Sequence, residues 1–496
     1  MSNTSAKRPS LILSLVPVIF LMGLLIFNII LFKDDATGGP NQLALLAAGA
    51  LATIIGIFVQ KVAYSDIENQ IVKSISVAIQ ATLILLVVGS LIGTWILSGV
   101  VPAMIYYGLQ LIHPAVILPV CALVCAIVAL ATGSSWSTTG TVGVALIGIG
   151  QAMGIPLGMV AGAIVSGAYF GDKMSPLSDT TNLAPAMAGT DLFTHIRYMV
   201  YTTVPAFVLA LILFTILGLF QNHDGAAIGS IPEVLTQIKS VFNIGPHLFL
   251  VPASIIVMVI LRVPALPAMI LGTVFGGVCA LMFQQELIAK MIGTDFSLIS
   301  GYKVLMGAAY NGFSFESGNK LIDGLFNRGG MSGMFGTVTL ILMAMIFGGA
   351  MEGTGMLQRI AESILGMVKG VGSLIGATLA SSIFLNMTAS DQYLAILIPG
   401  RMFKRAYDQY GLHPKNLSRA LEDAGTVTSP LIPWNSCGAY EAGVMGVATL
   451  EYAPYAFFNY LSPIISAFLA GFDIGIERSS VKTAPSESDA EGVELA

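Results

Sequence analysis

The chain has 496 residues, of which 55% are hydrophobic and only 10% are charged, and its formal net charge is −5. A soluble domain of average composition carries roughly 25% charged residues, so most of this surface is expected to face lipid. The charges are spread over loops and tails without a basic stripe, which argues against a nucleic-acid partner.

Eight apolar runs are each about long enough to cross a bilayer. The first is too long for a signal peptide and has no small-residue cleavage site, so we expect it to be retained. Basic residues are enriched on the cytoplasmic side of membrane proteins. We therefore expect the N-terminus, which contains Lys7 and Arg8, and the basic loop 401–419 to lie in the cytoplasm. The prediction is a multi-pass protein of the cell (inner) membrane with both termini in the cytoplasm. The runs are 11–32, 41–60, 75–98, 203–220, 248–261, 264–283, 335–351 and 455–472.

Two further segments, 113–153 and 372–400, each contain two short apolar arms around a polar tip. We predict that they are re-entrant hairpins, which enter and leave the membrane on one side. Each is followed by an apolar helix that Gly and Pro interrupt, at 155–190 and 417–446. When the first half of the chain is aligned with the second at an offset of 254 residues, Ser134 aligns with Thr388 and 175–177 align with 429–431. Matching interruptions in two apolar halves are typical of transporters with inverted repeats.

The predicted fold is therefore an all-α polytopic membrane protein. It has two inverted repeats of about five transmembrane helices, each with a re-entrant hairpin and a discontinuous helix, or about ten spans in total. The repeats are 11–220 and 246–474, joined by a connector at 221–245, with cytoplasmic tails at 1–10 and 475–496, the second of them disordered.

Three segments are harder to place from sequence. We take 99–112 and 355–369 as lateral segments, since counting either as a span would reverse the topology after it. Residues 285–331 are longer and more polar than the other links. They are interpreted as an external or gating loop, or as a partly ordered connector.

The polar tips and interruptions are rich in oxygen, and oxygen atoms are the ligands of a hard alkali cation. Pro176 and Pro430 each free a backbone carbonyl four residues earlier. The alternative for each hydroxyl is a hydrogen bond within its own or a neighbouring helix. Because the two polar clusters repeat at the same offset of 254 residues, we favour cation binding over these internal hydrogen bonds. The predicted binding residues are Ser134, Ser135, Ser137, Thr138, Asp172, Ser175, Ser178, Asp179, Thr180, Asn182, Asn386, Thr388, Ser390, Asp391, Thr428, Ser429 and Asn435.

Within this set, a Na⁺ site is predicted at Ser135, Asp172, Ser175, Thr388 and Ser429. A charge at the bilayer centre costs about 3 kcal/mol, so acids in these segments indicate a function. The candidates for carrying the proton are Asp172, Asp179, Asp391 and Glu352. Asp179 has the alternative role of a helix N-cap, and Glu352 that of a solvated interfacial residue. Asp423 lies at helical spacing from Arg419, which favours a structural ion pair.

Other function classes are not supported. Gly-Lys never occurs, which excludes a phosphate-binding loop, and the five histidines lack metal-ligand spacing. No enzyme activity and no cofactor are therefore expected. The four cysteines are predicted to be buried free thiols. His195 is either a pH sensor near the cytoplasmic face or an ordinary interfacial histidine. Trp136 and Trp434 either close the site off or anchor the chain at the membrane interface.

The motifs at 133–143, 171–185 and 431–438 resemble signatures of the NhaC family, part of the ion transporter superfamily. The likeness extends from about Leu11 to Phe472. It implies Na⁺/H⁺ antiport, in which the two ions compete for buried carboxylates between hairpin tips and unwound helices. The family also includes carriers that resemble a proton-malate/sodium-lactate exchanger and others linked to amino acids.

Antiport of a small organic anion or amino acid coupled to Na⁺ and H⁺ is therefore the alternative. Such an anion would need a basic side chain, and Lys173 is the basic residue at a break. The expected partners are Na⁺, H⁺ and the lipid bilayer, with a second copy of the chain as a homodimer.

Overall fold

The computed structural model describes residues 8–32, 36, 38–221, 225–318 and 320–479. Within those ranges every regular element is a helix, apart from an isolated bridge between Leu412 and Arg478. The all-α prediction is therefore confirmed.

Ten α-helices lie among the described residues of the first half, with two π-helical turns among them at Gly56–Gln60 and Thr139–Gly143. The helices are α1 (Leu11–Phe32), α2 (Pro40–Ile55), α3 (Tyr64–Leu97), α4 (Val100–Leu111), α5 (Ile117–Thr132), α6 (Ser135–Thr138), α7 (Val144–Ala152), α8 (Leu157–Met174), α9 (Asp179–Ala188) and α10 (Leu192–Phe220).

The second half contains a third π-helical turn at Glu422–Thr426, in the described part of the chain. Its helices are α11 (Gly225–Val241), α12 (Leu250–Ile260), α13 (Ala265–Phe283), α14 (Gln285–Ile292), α15 (Leu298–Asn311), α16 (Lys320–Phe326), α17 (Phe335–Gly353), α18 (Met356–Leu365), α19 (Val371–Thr388), α20 (Gln392–Gln409), α21 (Lys415–Leu421), α22 (Ser436–Met445), α23 (Thr449–Tyr452) and α24 (Phe457–Gly471).

Eight helices among the described residues are long and apolar enough to cross a membrane, and a ninth is reached if a pair bent by 85° counts as one span. The protein is thus a multi-pass membrane protein. Six of the predicted runs lie within these helices, while 248–261 lies in the bent pair and 455–472 in the short helix α24. The remaining two long helices contain the first arms of the predicted hairpins. The re-entrant hairpins and the inverted repeats stay predictions.

Two segments expected to lie laterally form short helices. α4 has 12 residues and α18 has 10. At 1.5 Å per residue these helices extend about 18 and 15 Å, whereas the hydrocarbon core is about 30 Å thick. Their lengths agree with the lateral placement.

The link at 285–331 is not a loop, because it contains α14, α15 and α16. Ser297 begins α15 with a capping box: its hydroxyl accepts from the Ser300 amide at 3.1 Å, and the Ser300 hydroxyl accepts from the Ser297 amide at 2.9 Å. This local signal outweighs the polar composition that suggested a loop. The connector 221–245 likewise contains α11.

The end of the described chain is ordered against the loop before α21. Tyr198 and Arg419 donate to the carbonyl of Gly475, and Lys415 forms an ion pair with Glu477. The bond with Lys415 lowers the pKa of the Glu477 carboxyl. Backbone hydrogen bonds and this ion pair hold 475–479 in the structure, and the disordered tail stays a prediction. Residues 1–7 and 480–496 of the predicted tails lie outside the described residues.

Close packing of α5 against α8 positions the candidate site. A Cβ atom on Gly167 would overlap the carbonyl oxygen of Ala122, and one on Gly171 would overlap that of Ala126. The two backbones therefore touch where only glycine fits, as in other closely packed membrane helices. This contact fixes the end of α8, and with it Asp172, beside the break that follows α5.

Candidate ion-binding site

The first polar tip is a break between two helices. α5 ends at Thr132, and Gly133 has φ +69°, a left-handed conformation that favours glycine. Ser134 then caps α6, its hydroxyl accepting from the Ser137 amide at 3.1 Å. A Cβ atom on Gly133 would lie 2.6 Å from the carbonyl carbon of Leu177, in the break between α8 and α9. The tip and this break are thus in direct contact.

A cavity of about 580 Å³ lies where the tip, the break and the start of α20 meet. Three carboxylates and several hydroxyls line it. The sequence therefore identified residues that are far apart in the chain but share one cavity wall. The predicted binding residues on that wall are Ser134, Ser135, Ser137, Asp172, Ser178, Asp179, Thr180 and Asp391.

Asp172 is the acid that the first tip holds. Its Oδ2 accepts from the amide of Ser135 at 3.0 Å and from the hydroxyl of Ser135 at 2.7 Å. The residue is only 8% exposed. Hydrogen bonds to an ionised group are short and strong, so the tip holds this carboxylate in one orientation at the cavity wall.

The other two acids differ in their surroundings. Asp179 is exposed and follows the true N-cap of α9, Ser178, so it does not take the capping role considered for it. Asp391 is buried and caps α20, its Oδ1 accepting from the amides of Tyr393 and Leu394 at 2.9 and 3.1 Å. Asp391 thus has a structural role as well as a place on the wall.

Several predicted ligands lie away from the cavity wall and bond to the backbone instead. Of the predicted Na⁺ site, the structure brings only Ser135 and Asp172 to the cavity. The side chains of these residues bond to nearby backbone groups, which for three of the hydroxyls are carbonyls three or four residues earlier, as in the alternative noted from sequence. The bonds are Thr138 to the carbonyl of Ser134 at 2.9 Å, Thr388 to that of Phe384 at 2.8 Å, Ser429 to that of Thr426 at 2.6 Å, Asn182 to that of Ser178 at 2.7 Å, and the Leu177 amide to the Ser175 hydroxyl at 3.3 Å.

The second tip is tied to the second break by amides. Asn386 donates to the carbonyl of Gly425 at 2.7 Å and to the hydroxyl of Thr428 at 3.1 Å. Asn435 in turn donates to the carbonyl of Asn386 at 3.0 Å. Ser390 at the tip has φ +59° and is fully buried. These residues support the architecture and do not line the cavity.

Three further predictions concern single residues. Glu352 is half-buried at the end of α17, away from the cavity wall. His195 is fully buried, with Nδ1 2.8 Å from the hydroxyl of Ser418, and its two proposed roles, pH sensor and interfacial residue, stay predictions. Trp136 lines the cavity and stacks on Tyr440, with ring centroids 4.1 Å apart. Trp434 lies away from the cavity and donates to the carbonyl of Met387 at 2.7 Å.

A buried ion pair beside the site was not predicted. Lys173 and Asp423 are both fully buried and form an ion pair, to which Ser462 and Thr202 each add a bond to Asp423 at 3.0 Å. Asp423 thus does not pair with Arg419, which lies over the ring of Tyr198 at 4.4 Å. The π-helical turn at 422–426 changes the spacing that suggested the Arg419 pair.

Two more charged residues escaped the sequence reasoning. Glu422 is fully buried, and its Oε1 accepts from the hydroxyl of Thr180 at 3.0 Å. Arg262, between α12 and α13, is exposed and lines the cavity. A signal for Glu422 was present, since an acid next to Asp423 in an apolar segment needs a partner. No sequence signal pointed to Arg262, because it is far in sequence from the predicted residues that line the cavity.

No group of three His, Cys, Asp or Glu residues in the described ranges is arranged to hold a metal ion. The four cysteines are free thiols, three of them buried. Carboxylate and hydroxyl oxygens are among the polar groups that the described residues bring to the cavity wall.

Known proteins are similar to this chain over most of its length. The sequence profile of the Na⁺/H⁺ antiporter family matches residues 167–473. The Na⁺/H⁺ antiporter NhaC of Alkalihalophilus pseudofirmus is 38% identical, with 88% of this chain and 91% of that protein aligned. The Na⁺/H⁺ antiporter NhaC of Bacillus subtilis is 39% identical, with 82% and 87% aligned. A malate-2H⁺/Na⁺-lactate antiporter of Bacillus subtilis is 37% identical, with 85% and 87% aligned.

Proposed function

The chain belongs to the Na⁺/H⁺ antiporter family, and on this basis we propose that it is a secondary active transporter that exchanges Na⁺ for H⁺. The observation that carries the proposal is the carboxylate of Asp172, held by Ser135 on the wall of a cavity with two further acids. The membrane is proposed to be the cell (inner) membrane, with both termini in the cytoplasm and with a homodimer as the assembly.

Competition between the two ions follows from the cost of a charge in the membrane. A carboxylate at this depth is favoured when a cation neutralises it, and either Na⁺ or a proton can do so. The oxygens of Asp179, Ser134 and Ser178 face the same cavity and would complete the coordination of Na⁺. When protons are abundant on one side, Na⁺ is released there. When Na⁺ is abundant on the other side, the proton leaves.

Exchange of a small organic anion is the second candidate. The observation that favours it is Arg262 on the cavity wall, since a guanidinium binds a carboxylate well. Lys173, the basic residue considered from sequence, is already paired with Asp423. One relative is named a malate-2H⁺/Na⁺-lactate antiporter. A carboxylate would then enter the cavity beside Arg262, with Na⁺ at the acids.

The test uses proteoliposomes with an acidic interior and a pH-sensitive dye inside. External Na⁺ should make the interior alkaline, and Asp172→Asn should lower this rate by at least about a hundredfold, as expected for a group that binds the transported ion. Asp408→Asn, at an exposed position on α20, is the matched control and should retain the wild-type rate.

Wild-type protein that shows no response to Na⁺ would refute the proposal, as would full activity of Asp172→Asn. A response that requires malate or lactate in addition to Na⁺ would favour the organic anion. In that case Arg262→Gln should abolish the response that requires the anion.

A further inference from the structure

Glu422 is an acid with half of its hydrogen-bonding capacity unused. It is fully buried, its Oε1 accepts from Thr180, and its Oε2 has no hydrogen-bond partner among the described residues. It begins the π-helical turn at 422–426. Such turns are frequent at functional sites, because they cost stability and persist where they serve a purpose.

The hydrogen bond that the Glu422 carboxyl accepts from Thr180 leads to the cavity. The Thr180 hydroxyl that donates to Glu422 lies 3.2 Å from the hydroxyl of Ser178, and both Thr180 and Ser178 line the cavity. Glu422 itself does not line it. A proton can pass along hydroxyl groups, whereas Na⁺ needs several oxygens around it at every step. This route therefore admits a proton and excludes Na⁺.

The charges around Glu422 leave it without a positive partner of its own. Lys173 attracts it but is paired with Asp423, and Asp172 repels it. Other titratable or charged groups stand on the elements packed against the π-helical turn, while α19 contributes none by sequence. They are Tyr169 on α8, Asp179 on α9, Tyr393, Arg401, Lys404, Arg405, Tyr407 and Asp408 on α20, Lys415 and Arg419 on α21, and Tyr460 on α24.

We propose that Glu422 is the residue that carries the exchanged proton, and that Na⁺ binds separately at Asp172. The inference rests on the proposed Na⁺/H⁺ exchange and assigns its two ions to two carboxylates. A proton from cavity water joins the Thr180 oxygen while the hydroxyl proton of Thr180 moves to Oε1 of Glu422. The reverse transfer returns the proton to the cavity.

Repulsion between the two acids couples the ions. When Na⁺ neutralises Asp172, Glu422 loses a repelling neighbour and releases its proton. When Na⁺ leaves, the repulsion returns and Glu422 takes up a proton. Linkage is reciprocal, so the proton on Glu422 weakens Na⁺ binding by the same factor. Binding of Na⁺ and binding of the proton therefore oppose each other, although the two ions occupy different carboxylates.

The test compares two fluxes in the same proteoliposomes. Exchange of ²²Na⁺ for Na⁺ needs no proton, whereas Na⁺-driven alkalinisation needs one. Glu422→Gln should lower the alkalinisation by at least about tenfold, as expected for a residue that transfers a proton. It should keep ²²Na⁺ exchange within about threefold of wild type at saturating Na⁺, because a neutral side chain leaves Asp172 able to bind. The exposed Glu286→Gln is the matched control, with both fluxes unchanged.

Thr180 provides a second variant that leaves the carboxylate in place. Thr180→Val removes the hydroxyl at almost the same volume and should lower the alkalinisation with ²²Na⁺ exchange retained, whereas Thr180→Ser should restore most of it. Equal loss of both fluxes in Glu422→Gln and Thr180→Val would overturn the assignment, as would wild-type alkalinisation in either. If wild-type protein exchanges ²²Na⁺ but never moves protons, the proposed function itself fails.

Discussion

Asp172 receives two hydrogen bonds from a single residue, and the two bonds can be separated by mutation. Ser135→Ala removes the hydroxyl bond at 2.7 Å and keeps the amide bond at 3.0 Å. A bond to an ionised group contributes about 1.5–3 kcal/mol, so the apparent KM for Na⁺ should rise roughly tenfold or more. Initial rates of Na⁺-driven alkalinisation against Na⁺ concentration measure this value.

Thr388→Ala is the informative comparison, because the hydroxyl of Thr388 bonds to Phe384 in its own helix. Its apparent KM for Na⁺ should stay within about twofold of wild type, as expected for a hydroxyl that binds only its own backbone. An equal rise in both variants would place Thr388 at the Na⁺ site after all and contradict the described geometry.

At the scale of residues, Asp172 could be predicted because acids are rare in apolar segments, and Ser135 because hydroxyls cluster at two breaks that repeat at one offset. The same reasoning could not separate Ser135 from Thr388 or Ser429. All three are hydroxyls at a break, and only the direction of the side chain decides whether it meets the cavity or a carbonyl of its own helix. Sequence does not encode that direction locally.

The contact between α5 and α8 governs the site at the scale of elements. Gly167→Ala would place a methyl group against the carbonyl of Ala122 and force the helices apart. Overpacking of this kind costs about 1–3 kcal/mol. We expect a lower midpoint of thermal unfolding in detergent, together with a loss of Na⁺-driven alkalinisation, because Asp172 would move away from Ser135.

Gly307→Ala serves as the control, because nothing lies within 4 Å of the added Cβ atom in α15. It should leave the midpoint unchanged or raise it, since alanine favours a helix over glycine by about 0.5–1 kcal/mol. A Gly167→Ala protein as stable and active as Gly307→Ala would mean that the helices can separate without disturbing the site.

Long apolar helices and their interruptions could be predicted, because lipid imposes length and Gly or Pro marks a break. The helices within 285–331 could not be predicted, because the polar residues around Asn311 and Arg328 concealed the capping box at Ser297. The π-helical turn at 422–426 was equally invisible, because no residue type demands it. That turn is what removed Asp423 from the neighbourhood of Arg419.

The ion pair between Lys173 and Asp423 joins the two halves of the molecule. Lys173→Met would leave a buried carboxylate without its cation and should cost about 3–5 kcal/mol. Combining it with Asp423→Asn removes the stranded charge and keeps an oxygen for Thr202 and Ser462. The double variant should recover more than half of the lost stability, measured as thermal unfolding in detergent.

Lys369→Met, at an exposed position, should leave the unfolding midpoint unchanged. A double variant no more stable than Lys173→Met alone would show that the lysine stabilises the fold by packing and not by charge. The pair could not be predicted, because its members are 250 residues apart and the sequence does not say which helices of the two halves meet.

That separation also bears on how the protein is made. Ribosomes add about 5–20 residues per second, so Lys173 emerges roughly 12–50 s before Asp423. During this interval an unpaired ammonium in the hydrocarbon would cost about 3 kcal/mol, so we expect α8 to stay at the insertion machinery or near the membrane surface. On this basis we expect the central segment to be buried only once the opposite half has been synthesised, and not helix by helix from the amino terminus.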